Sequence, residues 1–123
     1  MRNYTLSVDV DGSGDGTKRQ GVPFGILRSV QIKYDGQPAG CDVVLSCVLD
    51  GVTKTILTRI NTNTDFPIQS VFEPGKDNVG DDVGAGKNAE LVLPIVTSML
   101  RVVVDEGSEK IAGVKVSCVI DSF

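Results

Sequence analysis

The stretch "DVDGSGDG", Asp9 to Gly16, brings three carboxylates close together: Asp9, Asp11 and Asp15. In an EF-hand loop, oxygen ligands at positions one, three and five meet calcium, and a glycine at position six makes the sharp turn. Asp9, Asp11, Ser13 and Gly14 match those four positions. The twelfth position, which should carry a bidentate Glu, is Gln20. An EF-hand also needs a flanking helix, and the residues before Asp9 alternate as a strand does. Asp and Gly are also what turns use, because Gly takes φ > 0 freely and Asp tolerates it. The stretch is therefore expected to be a solvent-facing loop. Asp9, Asp11 and Asp15 remain the candidate metal ligands, and no cofactor is expected.

Other constellations carry less chemistry. "GDDVGAGKN" (Gly80–Asn88) fails as a phosphate loop: the pattern needs Gly where Asp81 stands and Ser or Thr where Asn88 stands. The adjacent carboxylates Asp81 and Asp82 would also repel a triphosphate. The chain has no histidine, so the commonest general base is missing. Cys41, Cys47 and Cys118 lie in apolar, strand-like segments, where a thiol behaves as a small hydrophobe. The carboxylate pair Asp105–Glu106 falls in a turn-like segment. "NYT" (Asn3–Thr5) matches a glycosylation acceptor, but the opening residues lack the apolar core of a secretory signal. No catalytic residue is expected, and an enzyme is the least favoured class.

The elements around these residues are β-like. With 123 residues the chain fits one domain, and a domain of that size buries roughly two-thirds of its unfolded surface without a staple. A net charge of −4 with one adjacent basic pair, Lys18–Arg19, argues against nucleic acid and against an anionic membrane. An odd number of cysteines in buried-looking strands suggests synthesis in a reducing cytoplasm.

Alternation predicts strands over Asn3–Val10, with Tyr4, Leu6, Val8 and Val10 inward, and over Ile26–Tyr34, with Val30, Ile32 and Tyr34 inward. Arg28 breaks that pattern and is placed near the strand's start. Cys41–Leu49 and Val52–Ile60 flank Asp50–Gly51, a hairpin signal because a type I′ turn needs φ > 0 at both central residues. A short strand is expected at Ile68–Phe72. Leu91–Val104 is read as one or two strands split at Pro94, although Ile95–Val104 also admits a helical period. Lys110–Ile120 closes the chain, with Val114, Val116, Cys118 and Ile120 inward. Long loops are expected at 11–24 and 73–90. The fold class is thus all-β: one domain, 1–123, an antiparallel sandwich or jelly roll of seven or eight strands.

Gly25–Val71 resembles small virion structural proteins of tailed bacteriophages. The resemblance rests on Tyr34, Gly36 and Pro38 closing one strand, Asp42 and Val43 opening the next, and Ile56–Thr58 in the returning hairpin. Asn61, Asn63, Thr64, Asp65 and Pro67 then close the unit, and Leu93, Pro94 and Val96 follow later. It departs at Phe66, where the pattern has a longer aromatic-rich approach to the proline. It implies a capsid decoration, or cement, protein. Such a protein would be a homotrimer on the outer surface of the phage head, clamping subunits of the major capsid protein. A head–tail or tail component is compatible with the same residues. A calcium-dependent binding module is the alternative from another class, but with no Trp and two Tyr it lacks a platform for stacking sugar rings.

Overall fold

The alternating stretches are strands in the computed structural model, which describes residues 1–70, 72–73 and 93–123. In chain order they are β1 (Arg2–Val10), β2 (Gly16–Lys33), β3 (Asp42–Leu49), β4 (Val52–Arg59), β5 (Phe66–Ser70), β6 (Phe72–Glu73), β7 (Leu93–Asp105) and β8 (Lys110–Ser122). No helix occurs among the described residues. The expected loop at 73–90, with Gly80–Asn88 and the Asp81–Asp82 pair, lies outside the described residues beyond Glu73.

All pairings are antiparallel, and the main path runs β1-β8-β2-β7-β3-β4, with β5 on β2 and β6 on β7. The long strand β2 belongs to two ladders. Gly16–Gly21 pair with Val104–Met99 of β7, whereas Ser29–Lys33 pair with Val119–Lys115 of β8. Gly25–Leu27 touch both neighbours. One layer is therefore β1-β8-β2-β5 and the other β2-β7-β3-β4, an antiparallel β-sandwich arrangement in which β2 belongs to both. The layers cover each other. Leu6, Val8, Val114, Val116, Ile32 and Cys118 from the first are 0% exposed, as are Val43, Leu45, Leu100 and Val102 from the second. With no helix among the described residues, the opposing layer hides them. Each such side chain gains about 1.5–3 kcal/mol from burial.

Two expectations are corrected here. The loop expected at 11–24 ends at residue 15, because Gly16–Gly21 are strand. "GTKRQG" has no apolar period of its own, and the ladder to β7 makes it a strand. The corner at Gly21–Gly25 is irregular, and there the register to β7 skips, so Pro23 breaks no ladder bond. Arg28 is not at a strand's start. It sits mid-strand at a register shift between Leu27 and Ser29, and its guanidinium meets Asp121 at 2.9 Å. That bulge explains why the alternation fails at Arg28 alone. Residues 93–105 form one strand, so neither the split at Pro94 nor the helical period holds. The hairpin at Asp50–Gly51 stands as expected, with φ of 51° and 77°.

The registers give the molecule two ends. Val10 faces Lys110 and Asp42 faces Asp105, so the turns 11–15, 34–41 and 106–109 share a near end. Arg2 faces Ile120, Val48 faces Met99 and Gly25 faces Ser122, so the β2 corner, the β3–β4 hairpin and Phe123 share the far end. At the corner, a Cβ on Gly25 would lie 2.5 Å from the Asp121 carbonyl oxygen and 2.8 Å from Ser122 Cα, whereas one on Gly21 would meet nothing within 4 Å. Gly25→Ala is expected to cost about 1–3 kcal/mol in urea unfolding, and Gly21→Ala less than about 0.5 kcal/mol. Equal costs would contradict this account of the corner.

Candidate functional site

The three candidate carboxylates are each engaged, and by different partners. Asp11 Oδ1 accepts hydrogen bonds from the backbone N–H groups of Ser13 (2.9 Å) and Asp15 (3.0 Å). The turn closes further through Asp11 N–H to the Asp15 carbonyl (2.9 Å) and Gly14 N–H to the Asp11 carbonyl (3.0 Å). Asp9 belongs to β1, and its Oδ1 accepts from Ala112 N–H at 2.8 Å, on β8. Asp15 faces Asp105 instead. Among the described residues, no group of three or more His, Cys, Asp or Glu is arranged to hold a metal ion. The local geometry accounts for "DVDGSGDG" as a turn braced by its own aspartates, with charge-assisted bonds to backbone amides.

The Asp15 carboxyl titrates above its ordinary value. The largest cause is a side-chain hydrogen bond to Asp105, which needs a proton on one of the two; desolvation and repulsion from the Asp105 and Asp11 charges add to it. The thiols are no better as nucleophiles. Burial pushes all three up, Cys118 to about 12, so a thiolate is scarce at neutral pH.

The near end is tied together by a residue the sequence did not single out. Gln37 is 2% exposed. Its Oε1 accepts from Ser108 N–H at 2.7 Å, its Nε2 donates to the Ser108 carbonyl at 3.2 Å, and its own carbonyl accepts from Asn63 Nδ2 at 2.8 Å. Gly107 N–H donates to the Gly14 carbonyl at 2.9 Å. Four connections are thus fastened to one another. A glutamine inside "DGQPAG" looks like any turn residue, and only the meeting of β2–β3 with β7–β8 gives it this role.

Beside this network β8 opens with a bulge. Val8 faces Val114 but Val10 faces Lys110, so Ile111, Ala112 and Gly113 are out of register. Ala112 has φ 51°, which costs an L-residue roughly 1–2 kcal/mol. A Cβ on Gly113 would sit 2.6 Å from Gln37 Nε2. The bulge carries Ile111, 85% exposed.

The far end is apolar. The Phe24 and Phe123 rings meet at a tilt of 49° with centroids 4.9 Å apart, and Phe123 N–H donates to the Phe24 carbonyl at 3.1 Å. Phe24, Phe123, Met1 and Val52 are all more than half exposed. A cleft of about 450 Å³ lies between the β3–β4 hairpin and β7, lined by Cys47, Leu49, Val52, Ile95 and Val96, with Asp50 and Lys54.

No family model, curated protein or solved structure matches this chain.

Asp15 gives a test of the near end. Its folded-state pKa lies above the ordinary 3.8. A raised carboxyl favours the folded state below the unfolded pKa, and that contribution is lost as pH rises through the folded value. Asp15→Asn, which keeps a hydrogen-bond donor towards Asp105, should therefore raise Tm at neutral pH. The gap should close as pH falls below about 3.8. A gap that stays constant in thermal melts from about pH 7 to about pH 3 would show that the pair is not coupled.

Proposed function

We propose that this chain is a structural virion protein, a decoration (cement) protein of a tailed-bacteriophage head. It acts as a homotrimer on the outer capsid surface and clamps subunits of the major capsid protein. It is made in the host cytoplasm and needs neither cofactor nor catalysis. Nucleic acid and membranes are not partners in this reading, since the chain is acidic and has one adjacent basic pair.

The observation that carries the reading is the contrast between the ends. Aspartates and Gln37 are spent at the near end on fastening connections. At the far end Met1, Phe24, Val52 and Phe123 stay exposed, the two Phe rings in contact. Exposed apolar groups gathered at one place mark interaction surfaces, and aromatic anchors dominate binding energies. The Gly25–Val71 resemblance supports the same class, while a β-sandwich by itself serves many functions. On a shell, modest contacts of this kind multiply through many copies and through the linked subunits of a trimer.

Sedimentation equilibrium in EDTA and again in millimolar calcium tests this. A trimer in both buffers is expected. Rings or polymers would point to a tail component, and a monomer that associates only with calcium would replace the proposal with a metal-dependent binding module.

A further inference from the structure

The outer face of the β2-β7-β3-β4 layer carries two arginines side by side. Val43, Leu45, Leu100 and Val102 point inward from this layer and are 0% exposed. Their neighbours along each strand therefore point away from the core. Register sets those neighbours in rows. Arg19 of β2 faces Arg101 of β7, and Arg101 faces Ser46 of β3. To one side of this row, Thr17 faces Val103 and Val103 faces Val44. To the other, Gly21 faces Met99 and Met99 faces Val48. Arg19 is exposed; Arg101 is half-buried, as are Val44, Val48, Met99 and Val103 around it.

The arginine pair is unfavourable as it stands. Like charges directly opposite on neighbouring strands repel. Among the described residues neither arginine makes an ion pair or a side-chain hydrogen bond. Arg101 Nε is buried and has no hydrogen-bond partner. It has given up water and received no acceptor in return, an uncommon state for a buried donor.

The missing group is an acceptor that carries negative charge. A carboxylate meets a guanidinium through two parallel N–H···O bonds, and one set over this row would answer both arginines. The surroundings select its source. Arg and Met among half-buried apolar side chains, without Lys, are the make-up of a protein interface. A free anion would leave the apolar border wet, whereas a carboxylate borne by a protein covers it. A nucleic acid would run into Asp42 and Asp105, which face each other at the end of the same rows, on a chain of net charge −4. A second copy brought onto this face by a two-fold axis would set arginines against arginines.

We propose that the Arg19–Arg101 pair is the docking site for an aspartate or glutamate of a different protein, seated on the outer face of the β2-β7-β3-β4 layer. The site goes beyond the decoration reading and does not rest on it. It is distinct from the apolar end at Met1, Phe24 and Phe123, so either surface can fail alone.

The test titrates acetyl-tetraglutamate amide into the isotope-labelled chain and follows the Nε–H signals of Arg19 and Arg101 by NMR. At low salt both signals should shift and saturate in the millimolar range, and the shift should fade as salt rises. The same peptide built from glutamine should leave them in place. Arg19→Gln and Arg101→Gln should each weaken binding about tenfold or more. Arg19→Gln should also melt at or above the wild-type temperature, because it removes the like-charge pair at an exposed position. Signals that the glutamate peptide leaves unmoved overturn the site. An equal shift with sodium sulfate overturns it in favour of an adventitious ion only, and tighter binding of a short oligothymidylate overturns it in favour of a nucleic-acid surface. A lower melting temperature in Arg19→Gln overturns it too, by showing that Arg19 already holds a partner within the chain.

Discussion

Among the described residues no helix lies over the apolar face of the sheet, and that face leaves water by the sheet folding onto itself. That constraint organises this protein. It requires a strand to pass from one layer to the other, and β2 does so between Gly21 and Gly25. The crossing residues must tolerate a broken ladder, which Pro23 does, and a close backbone approach at Gly25, 2.5 Å from the Asp121 oxygen for any added Cβ. Once β2 has crossed, β7 and β3 continue one layer and β8 and β1 the other. Their inward Val, Leu, Ile and Cys residues then meet as a single core.

Folding a sheet back on itself also gathers connections at its ends, and with them backbone amides that no ladder satisfies. Aspartates answer that need repeatedly. Asp11 takes the amides of Ser13 and Asp15, Asp9 that of Ala112, Asp42 that of Asn61 at 2.8 Å and Asp65 that of Tyr34 at 3.0 Å. The acidic, glycine-rich character that suggests a calcium loop in the sequence has this second physical origin. A carboxylate that accepts amide hydrogen bonds is as well satisfied as one that meets an ion.

What could be read in advance was local. The hairpin at Asp50–Gly51 is specified by two adjacent residues that accept positive φ. The inward faces of β1, β3 and β8 follow from period two, since one register slip would expose the whole set. The first half of β2 was hidden because "TKRQ" draws its conformation from β7, some 80 residues away, rather than from its own burial. Arg28 misled because a bulge shifts the period by one residue at a place that nothing in the neighbouring sequence marks. The partners of the candidate carboxylates Asp9, Asp11 and Asp15 could not be read in advance. Asp9 reaches an amide 103 residues on. Gln37 and the Ala112 bulge were illegible for the same reason, since both exist only where β2–β3 and β7–β8 meet.

The asymmetry of the two ends follows from how polar and apolar groups were spent. Every hydrogen bond made at the near end replaces one with water, and the net gain is modest, about 0.5–1.5 kcal/mol each. Their combined effect is rigidity rather than adhesion. Phe24, Phe123, Val52 and Met1 gain nothing by facing water, so their free energy can still be realised by contact. The division is not complete: Ile60 and Ile111, 60% and 85% exposed, are apolar residues on the polar end.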